Sequence, residues 1–320
     1  MRLRAVFGSF ELLHGFVLLI RRGGREGSEI PRPPKCYHPR AMAEGRRRSI
    51  LYLPGSSERM MEKAGSRGAD VLVLDLEDGV HPDQKEPARG LVREALKRFD
   101  FGDSEVFVRV NAVASPWFDK DVVMLADLAP PRPGGAILPK VESSEAVERL
   151  AGALPGLPLF LMIETALGVL EARSVARRPA VRGLFFGAAD YRESLRAGRS
   201  PDESELLYAR ASILHAARAS GIEAFDTPWF EYMDLEGLEA SAHRARLLGF
   251  DGKTAIHPSQ VPTLNRVFSP TPEEIERARG IVEVMEKALA EGRNVATLGN
   301  EMVEALHLAE ARRILARARP

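Results

Sequence analysis

The sequence predicts an α/β protein, a (β/α)8 TIM barrel with a C-terminal helical arm, and three observations predict it. From Ser49 onward, eight apolar runs alternate with amphipathic stretches at intervals of roughly 20 to 35 residues. Strand and helix in strict alternation imply right-handed βαβ units and a parallel sheet. Seven of the eight runs end in charged or polar residues, which a barrel would gather on the one rim where active sites are built. A doubly wound open sheet is the rival architecture.

The elements follow in order. Ile50–Leu53 is the first strand, closed by the Pro54-Gly55 turn, and Glu58–Arg67 is the helix after it. Val71–Leu76 exits through Asp75-Leu76-Glu77-Asp78, and Ala88–Arg98 reads as amphipathic. Val106–Val110 carries Arg109 and exits at Asn111. Ala136–Leu138 leads into Pro139-Lys140-Val141-Glu142, with Glu145–Leu154 behind it. Leu159–Ile163 delivers Glu164, and residues 166–182 have room for one crossover helix. Gly183–Phe186 continues through Gly187-Ala188-Ala189 to Asp190, read as a charge at a strand end. Glu205–Ser220 precedes Glu223–Phe225, which ends at Asp226; Leu235–Leu248 precedes Lys253–Ile256, which ends at His257. Helix capping is an alternative account of Asp75, Asp78 and Asp226. After the barrel, Thr271-Pro272-Glu273-Glu274 supplies an N-cap, a first-turn Pro and first-turn acids to a helix running to about Glu291. A loop over 292–300 then leads to a last helix near Met302–Ala316.

Three regions result: an atypical extension over residues 1–45, the barrel over 46–270 and the arm over 271–320. The extension holds Gly23-Gly24, Pro31-Arg32-Pro33-Pro34 and Cys36, the sole cysteine, with little periodicity. Its apolar piece Leu12–Ile20 is too short to span a bilayer, and no small-residue cleavage site follows it. We expect translation to begin at Met42; a mitochondrial presequence is the rival reading, weakened by Glu11, Glu26 and Glu29. A single cysteine excludes an internal disulfide and fits a reducing, cytoplasmic setting. Lys plus Arg and Asp plus Glu both count 45, so no net field draws the chain to nucleic acid or an anionic membrane.

Glu164 and Asp190 are the most informative pair. Carboxylates delivered by neighbouring strands of one sheet form a site for a hard divalent cation, since Mg²⁺ keeps one or two carboxylates plus substrate oxygens. A pair of strand-end acids that merely cap helices is the bland alternative. Arg109 is permanently cationic and planar, suited to a substrate carboxylate or a developing enolate.

Ten motifs, in register from Arg48 to the C-terminus, carry a resemblance. They are Arg48-Ser49 leading to Leu53-Pro54-Gly55, Lys63-Ala64, Ala69-Asp70 with Asp75-Leu76-Glu77-Asp78, and Lys85 with Ala88-Arg89. Val108-Arg109-Val110-Asn111, Leu138-Pro139-Lys140-Val141-Glu142 and Ile163-Glu164-Thr165 with Gly168 follow. Phe186-Gly187-Ala188-Ala189-Asp190, Gly249-Phe250-Asp251-Gly252-Lys253 and Ile256-His257-Pro258-Ser259-Gln260 complete the set. With these the chain resembles the citrate lyase beta subunit and malyl-CoA and citramalyl-CoA lyases of the HpcH/HpaI aldolase–citrate lyase superfamily.

The resemblance implies Mg²⁺ at Glu164 and Asp190. It implies substrate contact at Arg109, Glu164, Ala189 and Asp190, and coenzyme A contact at Tyr52, Lys63, Ile256 and His257. The implied reaction is retro-Claisen cleavage, or formation, of a short 3-hydroxyacyl-CoA such as citryl-, malyl- or citramalyl-CoA. The products are an acyl-CoA and a 2-oxo acid. Implied partners are these small molecules, a homo-oligomer (trimer or hexamer) and, if the chain is a subunit of a larger citrate lyase, an acyl carrier protein. A non-catalytic acyl-CoA-binding paralogue is the further alternative. One motif departs from the family: its Met-Ile-Asp or Met-Val-Asp is Met302-Val303-Glu304 here. Glu304 keeps the carboxylate implied to act as a proton-transfer group in a neighbouring subunit, but a methylene farther out. About 1 Å of misplacement can cost on the order of 10²-fold in rate, so a thioesterase step that needs the Asp is in doubt.

Overall fold

The computed structural model describes residues 46–128 and 133–318, and in it eight parallel strands close into a barrel. The expected extension over 1–45, with Cys36 and the start at Met42, lies outside the described residues. The barrel strands are β1 (Ser49–Pro54), β2 (Val71–Asp75), β3 (Glu105–Arg109) and β4 (Gly135–Leu138), then β5 (Leu159–Ile163), β6 (Val181–Phe186), β7 (Glu223–Asp226) and β8 (Gly252–Ala255). Each pairs with the next, and Ser49–Leu51 pairs with Lys253–Ala255 to complete the circle. Continuous apolar runs form these strands because both faces are covered, one by the barrel interior and one by helices.

The helices between them are α1 (Glu58–Glu62), α2 (Lys85–Arg98), α3 (Phe118–Ala126) and α4 (Ser144–Ala153). Then come α5 (Ala166–Ala176), α6 (Ala188–Leu195), α7 (Leu207–Ser220), α8 (Leu235–Leu248) and α9 (Val261–Val267). Ser143, Thr165 and Asp234 start α4, α5 and α8 by accepting a backbone N–H, as N-caps do. Three of these helices, α3, α6 and α9, go beyond the sequence expectation. Trp117 and Gly187 precede the first two without a side-chain cap, so neither announces itself. Helix α6 also corrects the reading of Asp190: it stands in that helix's first turn, not at the end of a strand.

Two cores result. Outside the strands, one large cluster joins the sheet to the helices. Inside, Ile50, Val71, Val73, Phe107, Ile137, Phe160, Met162, Phe185 and Phe225 fill the barrel, so it is a packed interior rather than a pore. Phe107 and Phe160 stack with centroids 4.3 Å apart, and Phe185 and Phe225 meet at 4.7 Å. Gly183 makes room for this packing, because a Cβ there would lie 2.8 Å from the Phe160 ring.

The arm begins with α10 (Pro272–Ala290), opened by a capping box between Thr271 and Glu274. The expected loop and early last helix are replaced by an antiparallel hairpin, β9 (Val295–Leu298) and β10 (Glu301–Glu304), followed by α11 (Ala305–Ala318). Met302-Val303-Glu304 is therefore strand. Gly299-Asn300 between two short runs is the two-residue turn signal that would have revealed it. Ile281, Met285, Val303 and Leu308 give the arm a small core of its own. It is fastened to the barrel by Arg246–Glu274 (2.6 Å) and Arg317–Asp251 (2.5 Å). Asp251 directly precedes β8, so the second fastening is at the N-terminal end of the barrel.

Candidate active site

The interior changes character along its axis. Tyr52, Asp75, Arg109 and Glu164 stand two residues beyond the interior positions Ile50, Val73, Phe107 and Met162 of their strands, so the period of two keeps them facing inward. Asp75 organises this layer. Its two oxygens take Arg109 Nε and Nη2, each at 2.6 Å, in a bidentate pair. They also accept the N–H groups of Glu77 (2.9 Å) and Gly79 (2.8 Å), which winds the chain around the carboxylate. Burial works against the charge of Asp75, but the guanidinium and the two N–H groups hold its carboxyl below the usual range. Asp75 is thus Arg109's anchor and caps no helix.

Arg109 lies over the Tyr52 ring, 5.1 Å from its centroid, and its Nη1 approaches Glu77 Oε2 at 2.9 Å. Glu77 is also gripped by Lys140 Nζ at 2.7 Å. Burial, set against the pull of Arg109 and Lys140 and reinforced by Asp78, leaves the Glu77 carboxyl above its ordinary value. Lys140 occupies a left-handed backbone conformation (φ 52°), unusual outside glycine. Its N–H donates to Glu164 Oε1 at 2.7 Å, and its ammonium lies 3.5 Å from Asp78 and 3.9 Å from Asp190.

Glu164 is buried, and burial together with the charges of Glu77 and Asp190 pushes its carboxyl up to about 8. Asp190 is raised as well, first by burial, with Lys140 opposing and Asp78 adding to the rise. Gly187, which lies between the two acids in sequence, is a tight fit: a Cβ there would sit 2.5 Å from Glu164 Oε2. The structure therefore brings Tyr52, Arg109, Glu164 and Asp190 to one mouth, with Asp75, Glu77, Asp78 and Lys140.

The remaining expected residues lie farther out. Ala189 is exposed in the first turn of α6. Lys63 is exposed at the end of α1, where its carbonyl accepts the Ser66 hydroxyl. Ile256 is partly exposed after β8, its N–H on Gln260 Oε1. His257 caps the turn Pro258–Gln260 by accepting the Ser259 N–H, and its ring lies 4.9 Å from that of Tyr232. Glu304 is held by its backbone N–H on His307, and its carboxylate is in no hydrogen bond or ion pair among the described residues. Asp226 belongs to none of this: wholly buried, it takes Arg210 (2.9 Å) and Lys253 (2.5 Å).

A supporting layer escaped the sequence reading. Lys85 Nζ donates to the carbonyls of Leu76 and Glu77 and to Asn111 Oδ1, all within 2.8 Å. Asp121 receives Asn111 and Arg89 in turn. Lys85 and Arg89, four residues apart on the buried face of α2, were the available signal: basic residues on an otherwise apolar stripe.

Among the described residues, five carboxylates face Arg109 and Lys140 at this mouth, and the Tyr52 hydroxyl is buried without a hydrogen-bond partner. Among the described residues no three His, Cys, Asp or Glu side chains form a complete metal cage. Mg²⁺ does not require one, since it keeps waters and takes one or two carboxylates plus substrate oxygens. Glu164 and Asp190, crowded and short of positive charge, fit that ion.

Comparison with known proteins agrees with this picture. The family model HpcH/HpaI aldolase/citrate lyase matches residues 48–258, and a C-C bond lyase of the TIM-barrel fold matches residues 209–320. A (3S)-malyl-CoA thioesterase of Cereibacter sphaeroides is 40% identical over 271 residues, 85% of this chain and 94% of that protein. The citrate lyase subunit beta of Escherichia coli is 37% identical over 286 residues, 85% of this chain and 93% of that one. Among solved structures, CitE of Mycobacterium tuberculosis in complex with magnesium, acetoacetate and coenzyme A is 31% identical, with a TM-score of 0.73. The match covers 86% of this chain and 98% of that one.

Proposed function

This chain belongs to the HpcH/HpaI aldolase/citrate lyase family, and from that premise we propose that it is a Mg²⁺-dependent carbon–carbon lyase. Its substrate would be a short 3-hydroxyacyl-CoA, cleaved to an acyl-CoA and a 2-oxo acid or formed from them. The observation that carries the reading is the juxtaposition of Glu164 and Asp190 beside an anchored Arg109. The CitE neighbour, which holds magnesium, acetoacetate and coenzyme A, supports it.

Glu164 and Asp190 would hold the ion, which when bound supplies positive charge to the oxygens of the 2-oxo acid fragment. The protein's own groups handle the rest. The substrate hydroxyl gives its proton to a rim carboxylate, Glu77 or Asp78, as its oxygen becomes a carbonyl. The C–C bond breaks, and its electron pair moves into the thioester as an enolate. That enolate takes one proton at carbon to become the acyl-CoA. Arg109 cannot swing, because Asp75 holds two of its nitrogens, so its charge is already in place for the enolate or carboxylate. The unpartnered Tyr52 hydroxyl, next to Arg109, is a second donor for the acyl head. Ala189 borders the acyl group, and Lys63, Ile256 and His257 border the path of the coenzyme A arm.

Glu304 would return a proton from the arm of a neighbouring copy in a homo-oligomer. Glu304→Ala is then expected to slow turnover about tenfold or more, and mixing it with a rim-dead variant should restore activity. An unchanged rate removes it from the mechanism. Hydrolysis of a malyl-CoA thioester is the second reading, favoured by the name of the Cereibacter relative. Products separate the two. With malyl-, citramalyl- and citryl-CoA in Mg²⁺ or EDTA, cleavage releases a 2-oxo acid, whereas hydrolysis releases free thiol and the intact hydroxy acid. Metal-independent turnover, or none with any of the three, would overturn the proposal. Among the described residues no helix is long and apolar enough to cross a membrane.

A further inference from the structure

Among the described residues, Lys140 is the one cation at the mouth that the chemistry above does not use. Its backbone is left-handed, a conformation that costs a residue with a Cβ about 1 kcal/mol or more and glycine almost nothing. Two contacts follow from that conformation: the N–H points at Glu164 Oε1, while the side chain turns back over the acids. Its ammonium lies 2.7 Å from Glu77, 3.5 Å from Asp78 and 3.9 Å from Asp190. It is more than a third exposed, so solvent is available to it if it lets go. One residue therefore both orients the first proposed metal ligand and places a positive charge beside the second.

We propose that Lys140 is a tethered cation that competes with the divalent ion for the acidic mouth, a positioning residue that keeps metal binding weak until substrate oxygens complete the ligand set. The inference rests on the assignment of Glu164 and Asp190 as metal ligands. In the substrate-free protein the ammonium partly neutralises Glu77, Asp78 and Asp190, which keeps these like charges from driving one another apart. A divalent ion entering the mouth meets that positive charge and is repelled by it. A substrate carboxylate and hydroxyl arriving together would supply negative charge and additional ligands, tipping the balance toward the metal.

The test is calorimetric titration of MgCl₂ into substrate-free protein at low ionic strength. Lys140→Gly relieves the backbone, keeps the N–H for Glu164 and deletes the whole side chain with its ammonium; Lys140→Met deletes the charge on a similar side chain. Both are expected to bind Mg²⁺ roughly tenfold more tightly, from the loss of a unit charge 3.9 Å from Asp190. The gain should shrink as salt is added. Lys140→Arg, which keeps the charge, should stay near the wild-type affinity. Adding pyruvate should tighten Mg²⁺ binding more in the wild type than in Lys140→Gly. Wild-type or weaker Mg²⁺ affinity in Lys140→Gly, with an unchanged circular dichroism spectrum, would overturn the proposal. If Glu164→Gln binds Mg²⁺ as well as the wild type does, the ligand assignment itself has failed. That outcome is distinct from a failure at Lys140.

Discussion

Two buried arginines occupy opposite ends of the barrel interior with nearly the same surroundings, yet they serve different ends. Arg47, below β1, pairs with Glu105 at 2.7 Å and with Glu223, and lies over the Phe107 and Phe160 rings at 5.7 and 5.4 Å. Arg109, at the top of β3, pairs with Asp75 and Glu77 and lies over Tyr52. At the floor, the ion pairs end where they begin: the guanidinium and its two carboxylates satisfy one another beneath a phenylalanine layer. At the mouth they do not close. Glu77 passes the contact to Lys140, which passes it to Asp78 and Asp190, and Glu164 is left with a backbone N–H against the charges of two other acids. A buried charge network with matched partners is structure. One left short of positive charge, and open to solvent on one side, is a place for a ligand.

Four substitutions separate the two ends, taken from the largest expected effect. Glu164→Gln and Asp190→Asn should each lower turnover by about 10³-fold or more, the worth of several kcal/mol of charge stabilisation. Both should also abolish the rise in melting temperature with added Mg²⁺. Wild-type rates in either would contradict the proposal that they are ligands. Arg109→Met should lose about 10²–10³-fold in turnover, as expected when a donor to a developing oxyanion is removed. Its counterpart Arg47→Met should act on a different observable. Glu223 would be left buried and unpaired, which costs about 3 kcal/mol or more in urea unfolding, while kcat of the folded fraction stays unchanged. A floor variant that slowed catalysis while keeping full stability would erase the distinction.

The smallest effect is a pH slope. Burial pushes the Glu223 carboxyl up to about 7 from an ordinary 4.5, so between those values the folded protein holds a proton that the unfolded chain has lost. Its contribution to stability is therefore whole below about 4.5, declines as pH rises toward 7 and is gone above it. Glu223→Gln should flatten that part of the melting temperature profile between pH 5 and 7. Parallel profiles would mean that Arg47 keeps the glutamate charged throughout.

Much of this is legible in the sequence. All eight barrel strands coincide with apolar runs, because strands buried on both faces cannot disguise themselves, and Leu159–Ile163 matches to the residue. Glu164 and Arg109 were legible for the same reason: a charge at or just after the end of such a run has only the rim to go to. Asp190 belongs to a helix and not to the strand end that the sequence suggests, since Ala188-Ala189 continues an apolar run as readily as it opens a helix. Asp75 could not be told from a cap, because its partner Arg109 is 34 residues away. The same distance problem hid the layer of Lys85, Asn111 and Asp121.

The sequence by itself determined the barrel, the end that carries the polar exits and the acids that leave it, for these follow from hydrophobic pattern and from the period of the strand. Only the tertiary structure decided which charges are already paired. Arg109 is locked, Asp226 is sealed away with Arg210 and Lys253, and Glu164 is left under-compensated. The physical reason is that pattern is local along the chain, whereas the cost of a buried charge depends on neighbours that the fold brings from dozens of residues away.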